Sequence, residues 1–490
     1  QKYGIIEWHF IPQATQYEVQ EAGTKTGTWT TIYTGGYRVS ALTATPGKWY
    51  RIRGLRTNAS GQVIKASSWS PTYLYDPNAF LKAVGTKIKE QNGAGAQVKL
   101  RGVNLGNYFI VEPWMLGNGV YQAQFPDDWT IRQKMGDDAP VLIETYQQTY
   151  LQDVDLDNIM RTGSNFIRLP VYYRNIREID DQTGQWMPAT QFNFAAMDRI
   201  VNLAADRGLY VLLDMHGAPG AQNNEFHAGR EGYNKLFSPD PLGAEYRERT
   251  KELWQAIVDH YRDHTMVAGY DLLNEPVGVY AYSPDDPTPL WTLYDQLYDI
   301  VRDADKGADT NHIVMMEGVW DWETLPNPSL YGWQNVVYQF HYYCQQPPEG
   351  EQPVLGETCP NDPPESQITY QKAFIDAKIA NSRQRLYKVP TMVGEFNGYG
   401  QKAVWDYYFQ KFNGQGWHWT LWSYKTHDYP SSWGLYTHSL YGEALPDFDI
   451  DTKTEIERKF QKYDTLLHNT PNESLLNILK NYTPRKSLIK

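Results

Sequence analysis

Gly269-Tyr270-Asp271-Leu272-Leu273-Asn274-Glu275-Pro276 is an apolar run that opens after one glycine and stops in Asn-Glu-Pro. A short run bounded in this way reads as a buried strand rather than a helix. Pro276 has no N–H to give a neighbouring strand, so the strand stops there. Asn274 and Glu275 are thereby left at its C-terminal tip. A second run, Pro390-Thr391-Met392-Val393-Gly394-Glu395-Phe396, ends in the same manner and leaves Glu395 at a tip.

Working outward, apolar strands alternate with amphipathic helical stretches from Val98 onward, the signature of a βα-repeating fold. Strands are expected at residues 99–104, 166–170, 210–214, 269–274, 312–317, 336–341, 391–395 and 417–423. Helical periodicity appears at 194–207, 244–263, 291–305, 365–381 and 402–412. Eight such units close into a (β/α)8 TIM barrel of the α/β class. The stretch is longer than the ~250 residues of a usual barrel, so long loops are expected. The surplus falls at 117–150, 217–243 and 344–366. All three follow strands, so they should rise above the C-terminal face and wall a pocket. Residues 81–95 have strand-like and turn-like pieces and are expected under the barrel.

Residues 1–75 read differently. Ile5-Ile6-Glu7-Trp8-His9-Phe10 partly alternates, and Tyr17-Glu18-Val19-Gln20 does so cleanly. Trp29–Tyr33, Tyr37-Arg38-Val39 and Trp49–Arg53 follow, separated by Gly and Pro clusters. Short alternating strands at this spacing predict a small all-β sandwich. Two domains are therefore expected, 1–75 and 76–490, joined at Asp76-Pro77-Asn78.

The 490 residues are 41% hydrophobic, enough for a core and against wholesale disorder. A net charge of −12 argues against a nucleic-acid or anionic-membrane partner and is compatible with a neutral substrate. Aromatics make up 14%. Sugar rings present flat C–H faces that stack on them, so carbohydrate is the first partner to consider; aromatic core packing is the alternative. No run of ~18 apolar residues exists, so no transmembrane helix is expected. Neither a signal peptide nor an initiating Met is visible, and Gln1 is compatible with a processed form. Secretion is expected from the substrate class alone, and a monomer is the default. Cys344 and Cys359 flank a Pro-, Gly- and Glu-containing stretch. They form either a disulfide or two free thiols.

Reading only the strand ends brings Arg168, Asp214 and His216, Asn274 and Glu275, His341 and Tyr343, Glu395 and Trp422 to one rim. Barrel enzymes carry their chemistry on that rim. Two glutamates there suit the cleavage of a glycosidic bond. These residues resemble glycoside hydrolase family 5, within the clan of retaining barrel glycosidases, over residues 100–436. The resemblance implies that Glu275 is the acid/base and Glu395 the nucleophile. It assigns substrate-binding or orienting roles to Arg168, His216, Asn274, His341, Tyr343 and Trp422. Glu275 would need to carry a proton and Glu395 to be ionised; close carboxylates push their pKa values apart. Arg168 and Tyr343 would hold Glu395 as the anion, and Asn274 would bind the 2-hydroxyl of the sugar. His341 would orient the acid, His216 the sugar hydroxyls, and Trp422 would form the floor. No cofactor and no metal are expected, because His216 and His341 have no carboxylate or Cys partner at ligand spacing in the sequence.

Arg101-Gly102-Val103-Asn104-Leu105-Gly106 with Val111-Glu112-Pro113-Trp114, His216–Asn223 and Trp422–Thr426 resemble exo-β-1,3-glucanases within the family. By that resemblance Glu112 would bind the terminal glucose of a β-glucan. The chain departs from the group at Asn107-Tyr108-Phe109, at 224–232 and at Thr426-His427-Asp428. These loops shape the subsites. A β-1,6-glucanase, an endo-β-1,4-glucanase or a β-glucosidase could share the machinery. So could a transglycosylase with Trp320 and Trp322 on the acceptor side, or an inactive carbohydrate-binding barrel. Residues 1–75 resemble a fibronectin type III domain. Trp8 corresponds to its early core Trp, Leu42, Pro46-Gly47 and Tyr50 to its tyrosine corner, and Ser67-Ser68-Trp69-Ser70-Pro71 to its closing segment. The first strand is cut short, and a spacer role is expected rather than sugar binding.

Overall fold

A computed structural model describes residues 5–6, 13–36, 42–70, 72–76, 78–116, 119–188, 190–303, 305, 308–318, 324–343, 365–398, 401–426, 433–437, 445–468 and 470–483. Trp8, residues 37–39, Pro71, Trp320, Trp322, Cys344, Cys359, His427 and Asp428 lie outside the described residues.

Eight parallel strands close into a barrel in chain order. They are β1 (Arg101–Asn104), β2 (Phe166–Tyr172), β3 (Tyr210–Gly217), β4 (Val267–Asp271), β5 (Ile313–Glu317), β6 (Val336–Tyr342), β7 (Thr391–Phe396) and β8 (His418–Leu421). Closure is made where Arg101, Gly102 and Val103 pair with Trp419, Thr420 and Leu421. Every residue of β2 and β3 is buried. That is why parallel strands covered on both faces read as near-continuous apolar runs.

Among the helices are α1 (Asp153–Arg161), α2 (Ala195–Asp206), α3 (Pro241–Tyr261), α4 (Thr288–Arg302), α5 (Glu365–Ala380), α6 (Lys402–Gln415) and α7 (Glu473–Tyr482), and the expected loop 117–150 holds further ones at Gly119–Gln124, Asp128–Met135 and Ala139–Tyr150. α3 starts where Asp240 accepts the Gly243 N–H at 2.7 Å, with Pro241 in the first turn. This is the arrangement an N-cap requires. Among the described residues the link from β5 to β6 has only a short 3-10 turn, Pro328–Leu330.

Several strand limits differ from expectation. β3 runs three residues further, to Gly217, and β4 stops at Asp271 rather than Asn274. After Asp271 the chain leaves the continuous ladder: the Leu272 N–H bonds Met315 O at 3.1 Å and the Asn274 N–H bonds Met215 O at 3.0 Å, on opposite neighbours. Glu275 then takes a positive φ of 42°. It sits just past the strand in a conformation uncommon for a residue with a Cβ.

Below the barrel, Lys82–Val84, Lys87–Lys89 and Gln97–Val98 form a small antiparallel sheet. Its Leu81, Ile88 and Val98 pack with Leu100, Phe166, Leu212, Met315, Val337 and Met392 in one apolar cluster. The Ala83 N–H bonds Asn335 Oδ1 at 2.8 Å and Lys82 Nζ bonds Thr310 O at 2.5 Å. The expected placement of 81–95 is therefore observed.

The N-terminal region is β-rich. Thr30–Gly35, Gln16–Ala22, Trp49–Thr57 and Val63–Ala66 form an antiparallel sheet in that order, with Tyr73–Leu74 also beside Trp49–Thr57. Ile5–Ile6 pairs separately with Leu42–Thr43. Ile6, Tyr17, Val19, Ala44, Tyr50, Ile52 and Tyr75 form their own buried cluster. The Thr45 N–H donates to Tyr50 Oη at 2.6 Å. Among the described residues no helix is long and apolar enough to cross a membrane.

Candidate active site

Arg168 projects from β2 with no exposure and organises the rim. Its Nη1 meets Glu395 Oε1 at 2.8 Å and Asn104 Oδ1 at 3.3 Å. Its Nε meets Asp271 Oδ2 at 2.9 Å. Its Nη2 meets Asn274 Oδ1 at 2.9 Å and Asp214 Oδ1 at 3.0 Å. A buried guanidinium is stable only with such complete pairing. Burial raises Asp214 and Asp271 to about 7 against the pull of Arg168. Asp271 also accepts from Gln339 Nε2 at 2.5 Å.

Glu395, on β7, is met by two donors, Arg168 on Oε1 and the Tyr343 hydroxyl on Oε2 at 2.7 Å. This is the setting a carboxylate requires, since its oxygens only accept. Glu275 Oε1 accepts from His341 Nδ1 at 2.6 Å, and its Oε2 lies 2.9 Å from His227 Nε2. One oxygen of each glutamate and a ring nitrogen of His341 lie within 4.8 Å of one another. The expectation that His216 and His341 lack carboxylate partners is thus corrected: His216 meets Asp214 and His341 meets Glu275, and for His341 sequence spacing does not show what the barrel brings together. Every oxygen of the two carboxylates already has a protein donor, and Arg168 supplies the positive charge there.

Glu395 is not the only group that sets the charge on Glu275. Burial pushes Glu275 up, but the charge of His227 and hydrogen bonds from His227 and His341 outweigh it. They hold Glu275 well below the ordinary carboxylate range. Burial and the neighbouring Glu275 charge instead push Glu317 well above that range. Glu317 Oε2 accepts the Glu275 N–H at 3.0 Å. Burial lowers His227, but Glu275, then Glu112 and Glu395, reverse this and lift it to about 9. A raised histidine stabilises the fold fully below its unfolded value and loses that contribution as pH rises through the folded one. Thermal unfolding between pH 6.5 and about 9 should therefore show wild-type stability falling relative to a His227→Gln variant.

His216 Nδ1 pairs with Asp214 Oδ2 at 2.7 Å. Its ring stacks on Trp422 with centroids 5.5 Å apart and planes 11° apart. Burial holds it well below the usual histidine range, as neutral imidazole. Burial also pushes Glu112 up to about 7, although His227 and Trp114 pull the other way. Glu112 Oε2 accepts from Trp114 Nε1 at 2.9 Å. Trp433 lies against both Trp114 and Tyr343, with centroids at 5.1 and 5.8 Å, and completes an aromatic wall. Glu112 Oε1, Asn274 Nδ2 and His341 Nε2 are buried without a hydrogen-bond partner among the described residues. Buried polar atoms are rarely left so, which marks them as atoms for a polar ligand.

All nine residues expected from the sequence therefore lie in one interconnected rim. His227, Glu317, Gln339 and Trp433 were not anticipated. An acid inside an apolar barrel strand, such as Asp271 or Glu317, signals a buried partner by itself. His227 has no such signal. Gly394 is required by close approach: a Cβ there would sit 2.2 Å from Gln339 Oε1. Gly394→Ala is expected to cost ~1–3 kcal/mol by overpacking and to lower turnover by displacing Gln339 from Asp271. Denaturant melts and initial rates check both.

Residues 137–428, more than half of the chain, match the family model described as Cellulase (glycosyl hydrolase family 5). A beta-xylosidase of Phanerodontia chrysosporium is 29% identical over 54% of this chain and 52% of its own length. A glucan 1,3-beta-glucosidase of Blumeria graminis is 30% identical over 50% of this chain and 55% of its own. The chain spans about half the length of these relatives. The rutinosidase structure from Aspergillus niger aligns with a TM-score of 0.51 at 17% identity, over 69% of this chain and 92% of that one. At that identity the likeness shows the fold alone. The chain belongs to glycosyl hydrolase family 5, a family of glycoside hydrolases.

Proposed function

We propose that the chain is a retaining glycoside hydrolase of β-glucosidic bonds, foremost an exo-β-1,3-glucanase. One observation carries the mechanism: carboxylate oxygens of Glu275 and Glu395 lie within 4.8 Å. That spacing fits direct attack by one carboxylate, whereas ~6.5–9.5 Å is needed to fit a water between the two groups. Glu395, held by Arg168 and Tyr343, bonds the anomeric carbon as Glu275 gives its proton to the leaving oxygen. Glu275 then takes a proton from the water that releases the sugar. Asn274 Nδ2 and Glu112 Oε1 are buried polar atoms free to bind sugar hydroxyls. Trp422 supplies the floor, and Trp114, Trp433 and Tyr343 the wall.

The exo-β-1,3 reading rests on the motifs around Glu112, His216 and Trp422, and it agrees with the name of the Blumeria relative, a glucan 1,3-beta-glucosidase. The test is product size and anomeric form on laminarin, pustulan, cellulose derivatives and aryl glucosides. β-Glucose alone released first from laminarin supports the reading. Cleavage of another glucan without laminarin activity overturns the linkage, and first-formed α-glucose overturns retention. A Glu275→Ala variant should lose ~10²–10⁴-fold on a phenyl glucoside and far less on a dinitrophenyl glucoside, whose leaving group needs no proton.

A polysaccharide too large to enter a cell fits an extracellular site of action. The contact between Tyr50 and Thr45 supports the fibronectin type III reading of 1–75.

A further inference from the structure

His227 sits in a single 3-10 turn, Phe226–Ala228, in the long loop after β3. This is the loop whose sequence departs from the exo-glucanase pattern. Its side chain is 17% exposed, while Glu275 is 9% exposed. Its Nε2 faces Glu275 Oε2 at 2.9 Å and Asn223 Nδ2 at 3.2 Å. The orientation of Asn223 is fixed. Its Nδ2 also donates to Glu275 O at 2.8 Å, and its Oδ1 accepts the Glu225 N–H at 2.9 Å. Turning the amide over would break both bonds, so an N–H and not an oxygen faces the ring.

Two basic atoms, His227 Nε2 and Glu275 Oε2, therefore compete for one proton, and the Asn223 N–H biases the outcome. With the proton on Nε2, Glu275 is a carboxylate and the Asn223 hydrogen meets no lone pair. With the proton on Oε2, Glu275 is an acid donating to Nε2, and the Asn223 N–H has a lone pair to share. The carboxylate favours the first state and the amide favours the second. His341 grips the other oxygen, Oε1, at 2.6 Å and leaves Oε2 to His227.

We propose that His227 and Glu275 share one proton, with His227 as the positioning residue that stores it between turnovers and Asn223 as the group that returns it to Glu275. This deepens the retaining-hydrolase reading and rests on it. In the first half of the reaction the proton passes to the leaving oxygen. The C1–O bond breaks as the Glu395–C1 bond forms, and Glu275 is left as carboxylate. In the second half water gives one proton to Glu275 and its oxygen to C1, while the Glu395–C1 bond breaks. That proton is the one then shared with His227, so the cycle closes. The groups facing His227 are Glu275, Glu112 and Glu395, together with the neutral ring of His216 at a centroid distance of 6.1 Å. Of these, only Glu275 is within hydrogen-bond reach by the distances above. The raised basicity of His227, to about 9, supports its holding a proton in the resting enzyme.

The test compares His227→Gln and Asn223→Asp with wild type in the full chain, using kcat/KM against pH for phenyl and dinitrophenyl β-glucosides. An aspartate in place of Asn223 would accept from Nε2 and pin the proton on His227. Both variants should lose ~10–10²-fold on the phenyl glucoside, part of what general acid catalysis supplies. The dinitrophenyl glucoside should change less than about threefold, since little proton transfer is needed. The alkaline limb of the phenyl-glucoside profile should shift in His227→Gln. Equal losses on both substrates with an unchanged pH profile overturn the proposal. Wild-type turnover of the dinitrophenyl glucoside that depends on Glu395 tests the underlying reading separately. Wild-type-like circular dichroism ensures that a loss is not misfolding.

Discussion

Replacing Glu395 by Gln should lower kcat by ~10⁴-fold or more, the scale seen when a covalent catalyst is removed from a cooperating set. The amide keeps the size of the side chain and can still meet Tyr343, but it has no charge for Arg168 and no basic oxygen to bond the anomeric carbon. Wild-type enzyme treated with a 2-fluoro-glucosyl fluoride should gain one sugar mass on the peptide that contains Glu395, and the variant should gain none. A labelled peptide containing Glu275 instead would reverse the assignment of the pair. Stability should change far less than rate, because the Glu395→Gln substitution leaves Arg168 with both of its aspartates.

Arg168→Met has the other large effect, on the fold itself. Removing the guanidinium leaves Asp214 and Asp271 buried without the group that binds them at 3.0 and 2.9 Å. Breaking a buried ion set by deleting one side costs ~3–5 kcal/mol. The cost has a definite pH dependence. Both aspartates already sit near about 7 with Arg168 present. Without it they rise further, and a raised acid favours the folded state at low pH and loses that advantage as pH climbs. Urea melts of variant and wild type should therefore diverge more above about 7 than below it. Equal divergence on both sides would mean that the aspartates are not what Arg168 neutralises.

The barrel was legible because parallel strands covered on both faces leave apolar runs with little ambiguity. Asn274-Glu275-Pro276 gave the rim a recognisable edge. Strand limits were less legible. Leu272 and Leu273 are as apolar as a strand residue, yet the backbone bonds of this stretch go alternately to two neighbours, which composition does not encode. Most of the nine rim residues could be found because they lie within a barrel strand or just past its C-terminal end, whereas Glu112, well past β1, was found by its motif. The charges beneath them are different. Asp214 and Asp271 were visible as acids within apolar strands, but their counter-ion on β2 is set by barrel closure. His227 could not be found in this way, since it lies in a loop without periodicity and meets Glu275 only through the path of that loop. The setting of Glu275 was legible only in part for the same reason: His341 was expected beside it, and His227 was not.

The small sheet below the barrel acts as a cork. It caps the end away from the rim, and its three apolar plugs cover Leu100, Phe166 and Met392. A shortened chain beginning at Lys99 would uncork that end, bare a greasy hollow and clump on expression. One that begins at Asn78 would keep the stopper seated, and so marks how far the enzyme can be trimmed.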